Sequence, residues 1–287
     1  MSPDILSEIQ RKLPSLSRGQ KRIAQYILDT YDKAAFMTAL ALGKTVQVSE
    51  STVVRFASEL GYNGYPEMQK ALQEIVLTRL TNVQRMEVGE RHSSERNLLT
   101  QTLCEDAERL RQSRDLISTE AFDGAVQEML RAKRIYVLGV RSSSALAIFL
   151  DYYLHYIFDD VQLITSDSAT IALEQLVRLT SRDVLIAISY PRYSTAVVQA
   201  MGYAKKLGAK TIALTDCDTS PLADYADYLL TTKSDMISLV NSLVAPLSVI
   251  NALIVSAATH RKKETTETLD KLEDIWDAYH VYENYEY

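Results

Sequence analysis

The chain is 287 residues long, 47% hydrophobic and 24% charged, a globular composition with enough apolar material for one large domain or two ordinary ones. Its net charge of −6 argues against a protein that coats nucleic acid uniformly, and the lack of any apolar run of about 18 residues argues against a membrane span. The two cysteines, Cys104 and Cys217, are too far apart for a disulfide framework or a zinc site; with an N-terminus that has no signal-peptide core, they point to a reducing cytoplasm and to no metal or cofactor.

The first 80 residues read as helices with short breaks. "LSRGQKRIAQYILDTY" places Leu16, Ile23, Ile27 and Leu28 on one face, with Ser17 as N-cap. "FMTALALGKTV" is a second, short helix. "SESTVVRFASELG" is a third, with Ser49 as N-cap, Val53, Val54, Phe56, Ala57 and Leu60 turned inward, and Gly61 as the stop. After "YNGY", Pro66 stands in the first turn of a fourth helix. Between Arg11 and Arg55 eight Lys/Arg residues face only three acids, a basic head on an acidic body.

The second and third helices are separated only by "VQVS", which is the spacing of a helix-turn-helix. In that arrangement the second helix of the pair enters the major groove of double-stranded DNA and presents its N-terminal polar residues to base edges. Those residues here are Ser49, Glu50, Ser51, Thr52 and Arg55, with Arg55 suited to guanine or phosphate. Arg18, Lys21 and Arg22 on the first long helix are placed for phosphate contacts. A plain three-helix bundle with a solvated charged face fits the periodicity equally well.

From about Thr81 to Ser94 the pattern is polar and reads as a linker, and "NLLTQTLCEDAERLRQSRDLIS" resumes helical spacing. Beyond Arg134 the period changes. "RIYVLGV", "VQLIT", "DVLIAIS", "KTIALTD" and "DYLLTT" are short, apolar and rich in β-branched residues, and helical patterns of ten or more residues separate the first four. Such runs predict a parallel sheet covered on both faces. A long apolar helix is expected over 236–258, bent at Pro246, and a charged helix from Glu264 to about Ala278, before a tyrosine-rich tail.

Two strand-to-helix loops carry the candidate chemistry. "VLGVRSSSALAIF" offers Arg141, Ser142, Ser143 and Ser144, and "ISYPRYSTAV" offers Ser189, Arg192, Ser194 and Thr195. Hydroxyl donors at the start of a helix make an anion site, and in an open parallel sheet both loops belong to the ligand edge. Ser166 and Ser168 form a third such junction. Arginine pairs in bidentate fashion with carboxylates as well as phosphates, so the residues imply an anionic ligand, whether a phosphate or a carboxylate. Pairing of Arg141 and Arg192 with Asp167 or another carboxylate of the chain is the competing reading.

The stretches "LSRGQKRIAQYILD" and "VSESTVVRFASELGYNGYPEMQKAL" resemble the N-terminal domain of RpiR-type bacterial transcriptional regulators, which join this head to a sugar isomerase (SIS) domain. The resemblance implies an α/β protein with an all-α helix-turn-helix domain over 1–80, a linker and connecting helix over 81–118, and an α/β/α SIS domain over 119–287. Three departures stand out: Gln47 occupies the glycine position of the inter-helix turn, Arg141 that of the first loop and Arg192 that of the second. Gln47 implies a strained or altered turn, and Gly43, where the family has alanine, keeps the helices close.

SIS isomerases need a general base, yet His155 sits inside "DYYLHYIF" as a packing or hydrogen-bonding residue, and Tyr193 stands where some SIS enzymes carry an acid. Only Asp167 and Asp216 offer carboxylates at strand ends. The expected function is therefore regulation without catalysis: a DNA-binding regulator of palindromic operators, active as a homodimer or homotetramer, that senses a small anionic sugar derivative. An SIS-type isomerase that uses the head for assembly is the alternative, and an architectural DNA-binding protein a third reading.

Overall fold

A computed structural model describes residues 5–79, 97–234, 236–237 and 240–282. The expected linker at 81–94 and most of the tyrosine-rich tail lie outside the described residues. The chain divides into two compact units, 1–93 and 94–287.

The first unit holds α1 (Ile5–Lys12), α2 (Arg18–Ala34), α3 (Ala39–Thr45), α4 (Glu50–Glu59) and α5 (Tyr65–Arg79). Helix α2 starts at a capping box: Ser17 Oγ accepts from the Gln20 N–H and the Gln20 side chain accepts from the Ser17 N–H. Thr38 and Ser49 cap α3 and α4 through the side-chain oxygen alone, which accepts from the Ala41 and Thr52 N–H groups. Ile9, Ile23, Ile27, Leu42, Val53, Phe56, Met68 and Leu72 meet in one core, each large side chain contributing about 1.5–3 kcal/mol through burial. Val54, expected inside, is 39% exposed; it lies one position off the 53, 56, 57, 60 stripe, and a turn of about 100° per residue carries it out of the core. From α5, Tyr65 Oη and Gln69 Nε2 donate to the Met37 carbonyl at 2.6 and 2.9 Å, which ties down the segment between α2 and α3. Burial pushes the Tyr65 phenol up to about 12.

The second unit opens with α6 (Leu98–Leu116) and α7 (Thr119–Arg131), then alternates strands and helices: β1 (Ile135–Gly139), α8 (Ser144–Leu154), β2 (Val161–Ile164), α9 (Ala169–Gln175), β3 (Val184–Ile188), α10 (Thr195–Lys206), β4 (Lys210–Thr215) and β5 (Tyr228–Thr231). The five strands form a parallel sheet of order β2-β1-β3-β4-β5. Strand alternation divides the core into two layers. Ile135, Val137, Ile186, Ile188, Ile212 and Leu214 face the layer that holds residues of α7, α8 and the apolar helix α11 (Val244–His260), whereas Tyr136, Leu138, Leu185, Ala187 and Ala213 face that of α9 and α10. Helix α12 (Lys262–Tyr279) is the expected charged helix.

Two expectations are corrected here. The helix between β2 and β3 has only seven residues, Ala169–Gln175, because the chain leaves it through tight turns that bury Leu176 and Leu179. The segment expected as one helix over 236–258 begins instead with β6 (Met236–Ile237) and β7 (Val240–Asn241), which pair antiparallel. Helix α11 then starts at Val244, so Pro246 lies in its first turn, where a missing N–H costs nothing and no bend arises.

Candidate functional site

In the first unit, the sequence puts the candidate DNA-binding residues at two neighbouring helix starts. Glu50, Ser51, Thr52 and Arg55 occupy the first six residues of α4. Ser49 Oγ lies 2.9 Å from Ser51 Oγ and 2.8 Å from Thr52 Oγ1, a hydroxyl cluster at the helix N-terminus. The Arg55 side chain is exposed and leans back on its own helix, Nε donating to the Ser51 carbonyl at 3.3 Å. Gly19 brings α2 against this region: a Cβ built there would lie 3.5 Å from both Thr52 and Val48. Exposed Arg18, Lys21 and Arg22 therefore flank the start of α4.

The turn between α3 and α4 keeps the backbone that glycine would favour. Gln47 stands at φ 54°, in the left-handed region. Arg22 Nη2 donates to the Gln47 carbonyl at 3.0 Å, so one of the expected phosphate contacts also braces the turn. Gly43 explains the close approach: a Cβ there would come within 2.9 Å of the Val48 carbonyl oxygen. Even alanine would require the turn to shift.

In the second unit, Gly139 at the end of β1 pairs with Ile188 at the end of β3, so the two candidate loops leave adjacent strands at one edge. This is also where the strand order reverses, with β2 on one side of β1 and β3 on the other; ligands of open α/β sheets bind in such a crevice. A Cβ on Gly139 would come within 2.7 Å of the Ser143 carbonyl oxygen, so glycine lets the first loop fold back over the strand.

The three serines of that loop separate in role. Arg141 takes φ 54°, a short 3₁₀ turn spans 141–143, and α8 begins at Ser144, whose Oγ donates to the Arg141 carbonyl at 2.6 Å. Ser143 is buried, and Ser142 and Arg141 are exposed. In the second loop Ser189 is buried and its Oγ accepts from the Ser194 N–H at 3.3 Å, while Arg192 and Thr195 are exposed. Among the described residues neither Arg141 nor Arg192 has an ion-pair partner, and Asp167 is exposed with none either. The competing reading of mutual pairing finds no support. Ser166 and Ser168 are spent locally: Ser166 Oγ accepts from the Ser168 N–H, and Ser168 caps α9.

Several side chains outside the expected ligand-binding set shape the second loop. Tyr190, buried, shares a 2.5 Å hydrogen bond with Thr232 Oγ1. Asn241 Nδ2 donates to the Pro191 carbonyl at 2.6 Å. Tyr193 Oη donates to Asp216 Oδ1 at 2.7 Å. Burial raises the Asp216 carboxyl above its ordinary value, against the opposing hydrogen bonds of Tyr193 and Thr215, and burial together with the Asp216 charge raises the Tyr193 phenol. Asn241 lies in a stretch whose composition reads as helix but which forms a short strand. Tyr193 was legible only as a missing acid, and its partner is 23 residues away.

Among the described residues, neither His155 nor His260 lies at this edge. His155 lies at the far end of α8, with Nδ1 2.9 Å from the Asp151 carbonyl, and His260 closes α11 with Nδ1 2.8 Å from the Ser256 carbonyl. A cavity of about 540 Å³ opens at the opposite edge of the sheet. There Arg134 and Asp160 are already ion-paired at 2.7 Å. No helix among the described residues is long and apolar enough to cross a membrane.

Residues 4–77 match the model of the rpiR-family helix-turn-helix domain, and residues 128–256 that of the SIS domain. The chain is 25% identical over 267 residues to the HTH-type transcriptional regulator HexR of Pseudomonas aeruginosa, covering 90% of each protein. It is similar to the sugar isomerase domain of an RpiR transcription factor from Sphaerobacter thermophilus, with 28% identity and a TM-score of 0.60 over 62% of this chain and 99% of that one. It also shares its fold with the Vibrio vulnificus NanR protein, solved in complex with ManNAc-6P, at 22% identity and a TM-score of 0.57 over 98% of this chain and 100% of that one.

Proposed function

Since the chain belongs to the RpiR-type transcriptional regulators, with an rpiR-family helix-turn-helix domain and an SIS domain, we propose that it binds an operator through α4 and tunes that binding with a small anionic sugar derivative held at the β1/β3 edge. It is a regulator rather than an enzyme, as its relatives are. In this reading residues 1–80 form the DNA-binding domain, 81–118 the connection and 119–287 the effector domain, working in the cytoplasm.

The observation that carries the effector reading is the pair of exposed arginines, Arg141 and Arg192, on loops from adjacent strands and without carboxylate partners among the described residues. Two unspent guanidinium groups beside serine hydroxyls favour an anion. Arg141, Ser142, Ser144, Arg192, Ser194 and Thr195 would meet the ligand, and buried Ser143 and Ser189 would hold the loops. ManNAc-6P in the structurally similar NanR supports a sugar phosphate; two arginines at positions where the resemblance has glycine support a sugar acid equally.

At the DNA, Ser49, Glu50, Ser51, Thr52 and Arg55 would read the major groove, with Arg18, Lys21 and Arg22 on phosphates. A palindromic operator needs two heads about 34 Å apart or a multiple, hence a homodimer or homotetramer. Exposed Ile148, Tyr152, Tyr153 and Val255 on the second unit supply apolar surface for such assembly. The effector acts only through its unequal affinity for the DNA-competent and incompetent arrangements.

A thermal-shift screen of sugar phosphates against sugar acids tests the effector reading. Stabilisation by one class names the effector type, and stabilisation by neither overturns it. Titration of a palindromic duplex at rising salt should give a log-linear loss of affinity; salt-independent binding, or none, would overturn the role of α4.

A further inference from the structure

The second loop is tied to a helix that lies far from it in sequence. Asn241 Nδ2 donates to the Pro191 carbonyl at 2.6 Å. The next residue, Ser242, is buried, and its Oγ donates to Asp106 Oδ1 on α6 at 2.6 Å, across 136 residues of chain. Arg109 Nη1 reaches the same Asp106 oxygen at 3.4 Å.

A second tie runs beside the first. Tyr190 Oη meets Thr232 Oγ1 at the loop. One residue later, the Lys233 N–H donates to Ser113 Oγ on α6 at 2.8 Å, across 120 residues. The two ties are joined where Ser234 Oγ donates to the Ser242 carbonyl at 2.7 Å. Thr232, Ser234, Ser242, Arg109 and Ser113 are all buried, and buried polar networks of this kind are stiff and costly to break. Helix α6 is the first described element of the second unit, so the chain runs from it toward the helix-turn-helix.

We propose that Asn241, Ser242 and Asp106 form a transmission bridge, which fixes the Pro191 carbonyl to α6 and so carries the state of the 190–195 loop to the helix leading to the DNA-binding unit. The proposal rests on the preceding reading for the loop's role as the effector loop; the physical tie does not. Asn241 is a positioning residue here, acting on the ligand through the loop it holds.

Hydrogen–deuterium exchange on the full chain, without ligand or DNA, tests the bridge. Asn241→Ala should speed amide exchange within 98–116 by about threefold or more, while 144–154 stays unchanged, as expected for local opening of one linked unit. Ser242→Ala reads the tie from the other side: it leaves Asn241 in place and should speed exchange within 189–195. Changes confined to the neighbourhood of each substitution would overturn the bridge, as would an even acceleration over the whole unit. If both responses appear yet no sugar derivative stabilises the chain, the bridge stands and the effector reading falls.

Discussion

Two residues in different units share one backbone oddity. Gln47 in the head and Arg141 in the body both sit at φ 54°, where an L side chain is disfavoured by about 1–2 kcal/mol. Their surroundings differ in what that cost secures. The Gln47 carbonyl receives Arg22, and the turn holds α3 and α4 at their packing distance. The Arg141 carbonyl receives Ser144 Oγ, while its guanidinium stays exposed and unpaired. In the head the strain is one that glycine would relieve. In the body the strained residue carries a charge that glycine cannot supply.

The largest effects should appear where each unit meets its ligand. Arg141→Ala is expected to weaken binding of the anionic effector by about ten- to a hundredfold, the loss of a charge-assisted pair worth about 1.5–3 kcal/mol, measured by calorimetry. Unchanged affinity would reduce Arg141 to the same structural role as Gln47. In the head, Arg55→Ala should weaken operator binding over a similar range, about 1–3 kcal/mol, in a fluorescence anisotropy titration.

A smaller effect separates the two turns directly. Gln47→Gly should raise stability by about 1 kcal/mol in urea unfolding with operator affinity held within about twofold. Arg141→Gly should bring a similar gain together with the same loss of effector affinity expected for Arg141→Ala. If Gln47→Gly destabilises the chain, its side chain contributes something the structure does not reveal.

The smallest effect concerns pH. Burial raises the Asp216 carboxyl in the folded chain, so folding disfavours its ionised form. Its contribution is most favourable at low pH and is lost as pH rises from the unfolded carboxylate value through the folded one. Asp216→Asn keeps an acceptor for Tyr193 and removes the charge. Its melting temperature should therefore gain on the parent's by a few degrees between pH 4 and pH 7. A constant difference across that range would show that the carboxyl titrates normally.

Much of this was legible in the sequence where the determinants are local. The caps Ser17 and Ser49 lie within three residues of the amides they serve, and the sheet strands announce themselves by unbroken apolar runs. The failures share a cause as well. Apolar "SLVNSLVAP" reads as helix by composition, yet hydrogen bonds to Pro191 and Asp106, 50 and 136 residues away, belong to its strand and turn. Likewise Tyr193 finds Asp216 only after the sheet has formed. Arg141, Arg192 and the serines were visible as types in loops, but which hydroxyls face outward depended on the 3₁₀ turn at 141–143.

The opposition of Gly139 and Ile188 on neighbouring strands has one more consequence. Strands in a sheet stand about 4.8 Å apart, so the two loops start from a fixed gauge that no side chain sets. If these loops hold the proposed effector, the sheet sets the span between them, and the reach and charge of residues 141 and 192 are what remain to match the ligand.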